Sequence, residues 1–338
     1  MKAIVQSAYG SPAGVLSLRD VAKPTPAPDE VLVRMHAAGV HPDVWHLIAG
    51  WPYVLRVMGA GFRRPKSPVP GIDVAGVVDT VGAHVTRFKP GDAVFGATVF
   101  MRWANGGTYA EYVAVPERLL VAKPPNVTFE QAASVVSPGL IALMNFHPER
   151  IQPSWRVAVN GAAGNVGSLF AQIARSRGAR VTGVDATDKL SAMRDLGIEE
   201  TVDYKKEDFT QRGERYDLIF DVPTTLSRDQ WERALEPAGI YWIIGHDHFG
   251  TATGAVLGSI PRMIPFMIRA ARRGQLGKGV LKFATPLDAL QELRRHLEAR
   301  TLTPHVTHTF ALAEAASALQ CMIEGKAAGR IVIHAPHT

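Results

Sequence analysis

The sequence predicts an α/β plus β protein in two parts, and three observations carry that reading. Residues 1 to about 125 are a series of short β-type runs, among them "VLVRMHAAGV", "DVAGVVDTVG", "DAVFGATV" and "YAEYVAVP", separated by glycine and proline turns such as "KPGD". From Trp155 the rhythm changes to strand, helix, strand. At the first strand–helix junction stands a loop nearly devoid of side chains, "NGAAGNVG". A chain of 338 residues is long enough for two cores, at about 100–200 residues each.

The N-terminal "MKAIVQSAYG" alternates like a strand and lacks the apolar stretch and cleavage site of a signal peptide, so no leader is expected. Pro124 and Pro125 mark a change of character. The following "TFEQAASVVSPGLIALMNF" has helical spacing, with a break expected at Pro138–Gly139. Next come "RVAVNG", the helical "VGSLFAQIARSRG", "RVTGVD", "LSAMRDLG", "ETVDY", "YDLIFDV", "WERALEPAG" and "IYWIIG". Short, continuously apolar strands of this kind belong to a parallel sheet covered by helices. After Gly245 lies an apolar region broken by glycine and proline, then a helix in "TPLDALQELRRHLEAR". "HTF" and "RIVI" read as strands that return to the first part. The expected boundaries are 1–125, 126–270 and 271–338, the last completing the second domain and rejoining the first.

Composition limits the function. Hydrophobic residues make up 46% and charged residues 20%, which excludes a disordered chain. The net charge is +6, but the basic residues look scattered and lack aromatic interleaving, so they read as solvated surface rather than a nucleic-acid footprint. The single cysteine, Cys321, rules out an intrachain disulfide or a cysteine-rich metal site and reads as a small buried hydrophobe. "TATGAVLGSIPRMIPFMIRAARRG" is interrupted by Pro261, Arg262 and Pro265. It falls short of the roughly 20 apolar residues of a membrane span.

The loop points to a dinucleotide. Glycines at such a junction make the turn, let a pyrophosphate approach the backbone, and allow the helix to pack closely on its strand. Gly161, Gly164 and Gly167 have that role here, with Ala162 where a first glycine often stands. Asn160, Ala163, Asn165 and Val166 complete the cradle, and the helix dipole would hold the anion. Asp185 ends the next strand, 18 residues after Gly167. A carboxylate there accepts ribose hydroxyls and opposes a 2′-phosphate, which favours NAD(H). Lys189 and Arg180 are nearby cations that leave NADP(H) open. Pro223 and the pair Gly245–His246 follow further strands, at the ends where ligands bind in such sheets.

With "MKAIVQSAYGSPAGVLSLRDVAKPTPAPDEVLVRMHAAGVHPDV", "PVPGIDVAGVVDTVGAHVTRFKPGDAVFG", "GGTYAEY", "NGAAGNVGSLFAQIARSRGARVTGV" and "GKAAGRIVI" in order, the chain resembles the medium-chain dehydrogenase/reductase superfamily. It is most similar to the zinc-independent, quinone-oxidoreductase-like branch. The resemblance implies a GroES-like catalytic domain with a Rossmann nucleotide-binding domain inserted before the C-terminal return. It further implies hydride transfer between a nicotinamide and a small quinone, enone or carbonyl, usually in a cytoplasmic homodimer. Zinc-containing relatives carry ligands at positions matched here by His41, Ile72–Asp73 and Ser137. Ile72 cannot ligate a metal, and "ATVFMRWANGGTYAEY" replaces the expected cysteine cluster, so no zinc is expected. The resemblance also places Tyr109 and Ile141 near the substrate and Arg330 near the cofactor.

The remaining candidates cluster in "GVHPDVWHLIAGWPY". His41 is a candidate proton donor, since an imidazole ordinarily titrates at about 6.5. Asp43 is placed to orient it, and Trp45 to form a substrate wall. Tyr53 is a second donor, a phenol that keeps its proton at neutral pH. Two alternatives stay open: a zinc-independent alcohol dehydrogenase-like enzyme, and a non-catalytic dinucleotide-binding sensor or structural protein.

Overall fold

The computed structural model describes residues 1–99, 104–145, 151–245, 285–327 and 329–335, together with 256, 257, 261, 264, 265 and 268. Strands β1 (Lys2–Gln6) and β2 (Leu16–Asp20) form an antiparallel pair joined through the short helix α1 (Pro12–Val15). The long strand β3 (Glu30–Val40) is the spine of the first large sheet, because most of its side chains are buried. Helix α2 (Pro42–Ala49) starts directly after it, with Pro42 at the first helical position and Gly50 in the left-handed conformation closing it. The sheet continues through β4 (Asp73–Val81), β5 (Ala93–Ala97), β6 (Tyr112–Pro116) and β7 (Leu120–Ala122).

Two strands from the far end of the chain complete this sheet. β13 (Val306–Ala311) and β14 (Arg330–His334) give the order β13-β14-β3-β4-β5-β7, with β6 also on β3. β4 pairs with Val31–Ala37 of β3. β6 takes Glu30–Arg34 and β14 takes Ala37–Val40, so they divide β3's other edge between them. "HTF" and "RIVI" thus lie in β13 and β14 of the first sheet.

The second sheet holds β8 (Arg156–Asn160), β9 (Arg180–Asp185), β10 (Glu200–Asp203), β11 (Tyr216–Asp221) and β12 (Leu235–Ile243). Every pairing is parallel and the order is β10-β9-β8-β11-β12. The order reverses between β8 and β11, the point at which such sheets open a ligand crevice. Helices α5 (Asn165–Ser176), α6 (Leu190–Asp195) and α7 (Arg228–Ala234) make the crossovers. Phe170 of α5 stacks on Phe220 of β11 with centroids 3.6 Å apart, fastening helix to sheet.

Helices α3 (Phe129–Ser134) and α4 (Val136–Asn145) link the two bodies. Thr128 caps α3 through a capping box with Gln131. The helical pattern breaks at Val135 rather than at Pro138–Gly139. Pro138 falls in the first turn of α4, where a missing amide costs nothing, and Gly139 donates to Val135. α3 packs on β3, β4 and β14, whereas α4 packs on α5 and on α8 (Pro286–Glu298). The expected boundary at 125/126 therefore precedes a helix that lies on the first sheet; the one at 270/271 lies outside the described residues. Helix α9 (Ala315–Ile323) covers β13 and β14, and Cys321 there is half-buried.

Candidate active site

The glycine loop is shaped by its own backbone. Gly161 has φ +80°, and both its amide and that of Ala162 donate to the carbonyl of Val184 at the end of β9. A Cβ on Gly167 would collide with the carbonyl of Gly161, so only glycine lets α5 start this close to the loop. Gly164 caps α5 without a side-chain hydrogen bond, leaving the amides of the first turn for something else. An anion suits that position.

Asp185 is buried at the end of β9. One carboxylate oxygen accepts from the amide of Ala163 and the other from that of Ala186, both at 2.9 Å. Lys189 approaches to 3.8 Å. The sequence did not single out Asp203, which stands beside Asp185 in the β10–β9 register. Thr187 donates to it, and that bond holds its carboxyl below the usual carboxylate range. Two acidic side chains thus stand side by side at the C-terminal ends of β9 and β10.

Asn160, Gly161, Pro223 and Gly245 meet at the C-terminal ends of β8, β11 and β12. A side chain on Gly161 would press on Pro223, and Gly245 accepts from the Thr224 hydroxyl at 3.0 Å. Asn160 donates to Asp221 at 2.8 Å and to Thr225 at 3.2 Å. Asp221 also accepts from Tyr241 at 2.7 Å and from the amides of Thr224 and Leu226. Burial raises the Asp221 carboxyl, and these donors oppose that rise. His246 lies outside the described residues.

Arg330 begins β14 and reaches the start of α5. It is buried, and its guanidinium donates to the carbonyls of Ser134 and Asn165 and to the Ser168 hydroxyl. Burial pushes it down to about 9, so it is still charged at neutral pH. A buried cation at the start of α5 matches the charge of a pyrophosphate. The glycine cradle, the uncapped amides, Asp185 and Arg330 together fit NAD(P)(H). Asn165 and Val166 lie in the first turn of α5, and Ala163 in the loop before it.

At the junction of β3 and α2 lies a polar cluster whose inner members, His41 and Asp73, are buried. His41 is 4% exposed and caps α2 without using its side chain. Its Nδ1 faces Asp43 and its Nε2 faces Asp73, each at 3.8 Å. Asp73 is 1% exposed; Oδ1 accepts from the amide of Ser137 at 3.2 Å and from the Ser137 hydroxyl, while Oδ2 and His41 Nε2 have no hydrogen bond. Burial raises the Asp73 carboxyl, and charge on His41 with the Ser137 bonds pulls against that rise. The positions matched to zinc ligands do converge, but Ile72 has no donor to offer. Among the described residues no group of three or more His, Cys, Asp or Glu is arranged to hold a metal.

The other candidates are divided. Tyr109 is fully buried and donates to the carbonyl of Gly39 at 3.3 Å, which places it behind the cluster. Burial and the neighbouring Asp73 both raise its phenol. Trp45 is buried edge-on to His46, and Ile141 is half-buried on α4. Tyr53 is 48% exposed beneath the Arg56 guanidinium, outside the cluster. Asp73 and Ser137 are the cluster members not assigned a role from sequence.

A GroES-like β body interrupted by a Rossmann sheet, with a nucleotide cradle at its switch point, defines an NAD(P)(H)-dependent oxidoreductase of the medium-chain dehydrogenase/reductase class. The alcohol dehydrogenase GroES-like domain profile matches residues 27–125, and the zinc-binding dehydrogenase profile matches residues 196–333. The quinone oxidoreductase of Pseudomonas aeruginosa is 30% identical over 334 residues, covering 94% of each chain. The 2-methylene-furan-3-one reductase of Solanum lycopersicum is 30% identical over 349 aligned residues, covering 99% of this chain and 79% of that protein. The crystal structure of a quinone oxidoreductase from Pseudomonas syringae superposes with a TM-score of 0.78 at 25% identity, covering 98% of this chain and 99% of that one. The chain belongs to the zinc-independent, quinone-oxidoreductase-related branch of that family.

Proposed function

We propose that the protein reduces an enone, quinone or small carbonyl with NADH, and that His41 supplies the proton. The observation that carries this is the buried imidazole held between two carboxylates at the end of β3. The nicotinamide, when bound, supplies the hydride. Asp43 and Asp73 flank the two ring nitrogens of His41 and orient the imidazole for proton transfer to a substrate oxygen or carbon. Asp43, with its side chain one-third exposed, connects the ring to water for reprotonation. Asp73 and Ser137 fix the ring from the buried side. At the other end, Asp185 and Asp203 oppose a 2′-phosphate, which supports NADH over NADPH, while Arg330 and the first turn of α5 hold the pyrophosphate.

In this reading the partner is a small molecule rather than nucleic acid, and the protein works as a cytoplasmic homodimer; the lone Cys321 suits a reducing compartment. Anaerobic oxidation of NADH and NADPH against quinones, enones and aldehydes tests the assignment. Turnover with NADH that survives a chelator is expected. The near-complete burial of His41 favours a second reading, a dinucleotide-binding sensor. Tight NADH binding with no turnover across the panel would select it, and turnover confined to alcohols and aldehydes would select an alcohol dehydrogenase-like enzyme.

A further inference from the structure

The nucleotide crevice contains a buried acid that the proton-donor scheme leaves unused. Asp221, at the end of β11, is fully buried and has four donors on its two carboxylate oxygens. Oδ1 accepts from the side-chain amide of Asn160 and the backbone of Thr224. Oδ2 accepts from the Tyr241 hydroxyl and the backbone of Leu226. Asp221 thereby ties β8, β11 and β12 together near the ends where such a sheet opens. In the turn that follows, Thr224 has φ +56°. A β-branched residue in that left-handed region is strained, and such strain persists where the surroundings hold it, often at ligand sites. Here Asp221 holds the Thr224 amide, and the Gly245 carbonyl holds its hydroxyl.

Asn160 is the member of this group that a ligand can use. Its amide nitrogen has two hydrogens, and both are taken, by Asp221 at 2.8 Å and by the Thr225 hydroxyl at 3.2 Å. Turning the amide over would set its oxygen against the Asp221 carboxylate, acceptor against acceptor. Asp221 therefore decides which end of the amide is left over, and it is the oxygen. No described residue donates to Asn160 Oδ1, although the side chain is largely buried. An unpaired acceptor in such a place costs free energy until a donor reaches it.

We propose that Asp221 is a positioning residue: it holds Asn160 so that Oδ1 accepts from a hydroxyl of the ribose on the nicotinamide side of the cofactor. A dinucleotide crosses a sheet of this kind at the switch point. Asp185 takes the adenosine side at the end of β9, and the glycine loop takes the pyrophosphate. The other half then runs over the ends of β8 and β11, on the far side of the strand order from β9. Asn160 directly precedes Gly161 of the loop. The first group beyond the pyrophosphate in that direction is a ribose, and its hydroxyls are donors; the nicotinamide lies one unit further on. Asp221 itself touches no ligand in this arrangement. The assignment rests on the reading of the crevice as a dinucleotide site and does not depend on which acceptor receives the hydride.

Calorimetric titration of the full chain with ADP and with ADP-ribose tests the assignment without turnover. ADP ends at the pyrophosphate, whereas ADP-ribose adds the second ribose and no nicotinamide. Asn160→Ala and Asp221→Ala should each weaken ADP-ribose binding by about tenfold, the scale of one hydrogen bond, and leave ADP bound as by the wild type. Asp221→Asn should keep the wild-type ratio of the two affinities, because its remaining oxygen still accepts from Asn160. Adding Asp221→Ala to Asn160→Ala should weaken ADP-ribose no further, since the carboxylate acts through the amide. Asn160→Ala leaves Asp221 in place, so it decides the matter should Asp221→Ala fail to fold. The ribose contact is ruled out if Asn160→Ala binds ADP-ribose as the wild type does. A role in packing alone is shown if the alanine variants weaken ADP and ADP-ribose equally, or if Asp221→Asn loses as much as Asp221→Ala. Turnover without the ADP-ribose effect removes this assignment alone; the effect without turnover on any acceptor removes the reductase reading alone.

Discussion

At the scale of the residue, the first prediction concerns His41, the proposed proton donor. His41→Ala should lower kcat by roughly 10²–10⁴-fold while leaving the NADH dissociation constant nearly unchanged; unchanged kcat in a folded variant would remove it from the chemistry. Asp73 makes a pH prediction, with His41, Asp43 and Tyr109 as the titratable groups facing it. Burial raises its carboxyl, so the folded protein holds that proton more tightly than the unfolded chain does. Its contribution to stability is fully present below the ordinary carboxylate range, at about pH 4, and is lost as pH rises through the raised value. Asp73→Asn should therefore flatten the Tm profile from acid to neutral pH, and an unaltered profile would count against this account. For Asp185→Ser, equilibrium titration should show the preference for NADH over NADPH shrinking or reversing. An unchanged ratio would mean that another group discriminates. His41, Asp43 and Asp185 were legible because "HPD" and the end of "RVTGVD" are local features. Asp73 was not, because its role depends on a contact with Ser137 of α4 and on burial, neither of which a local pattern encodes. Tyr109 shows the converse: its motif pointed to the substrate, while the packing of its ring turns it toward Gly39.

Among the elements, the strand–loop–helix at 156–176 was the most legible, since glycine spacing and apolar periodicity agree over its whole length. Its glycines are not equivalent, and that difference is testable. A methyl on Gly164 would stand 3.2 Å from the carbonyl of Gly161, and the backbone there, at φ −73°, suits any residue. Gly164→Ala should keep a near-native Tm and lose NADH affinity, because the methyl intrudes where the cofactor approaches. Gly167→Ala would drive its methyl into the same carbonyl. It should cost about 1–3 kcal/mol of stability, as overpacking does, and would be measured as a fall in Tm without ligand. Equal effects on both readouts would show that the loop is merely a tight turn. The break in the α3–α4 helix was misplaced for a local reason: proline ends helices from inside but is welcome in their first turn, and sequence alone does not reveal which turn it occupies.

For the molecule as a whole, the two sheets and the order of their elements were readable from the change of rhythm near residue 155. The return of the chain could be anticipated from "RIVI", though the strand it would border could not. That border has a consequence for biosynthesis. Ala37–Val40, the half of β3 that leads into His41, has its second edge paired by β14 alone in the described ladders. A ribosome making this protein releases β3 early and β14 some three hundred residues later, at about 5–20 residues per second. By the time β14 is made, the five described strands of the nucleotide-binding sheet have already been synthesised. The end of β3 that leads into His41 meanwhile presents an open strand edge, the kind of surface on which nascent chains associate wrongly. Fragments that stop short of Arg330 should consequently aggregate, because the strand that covers this edge is made long after the one it borders.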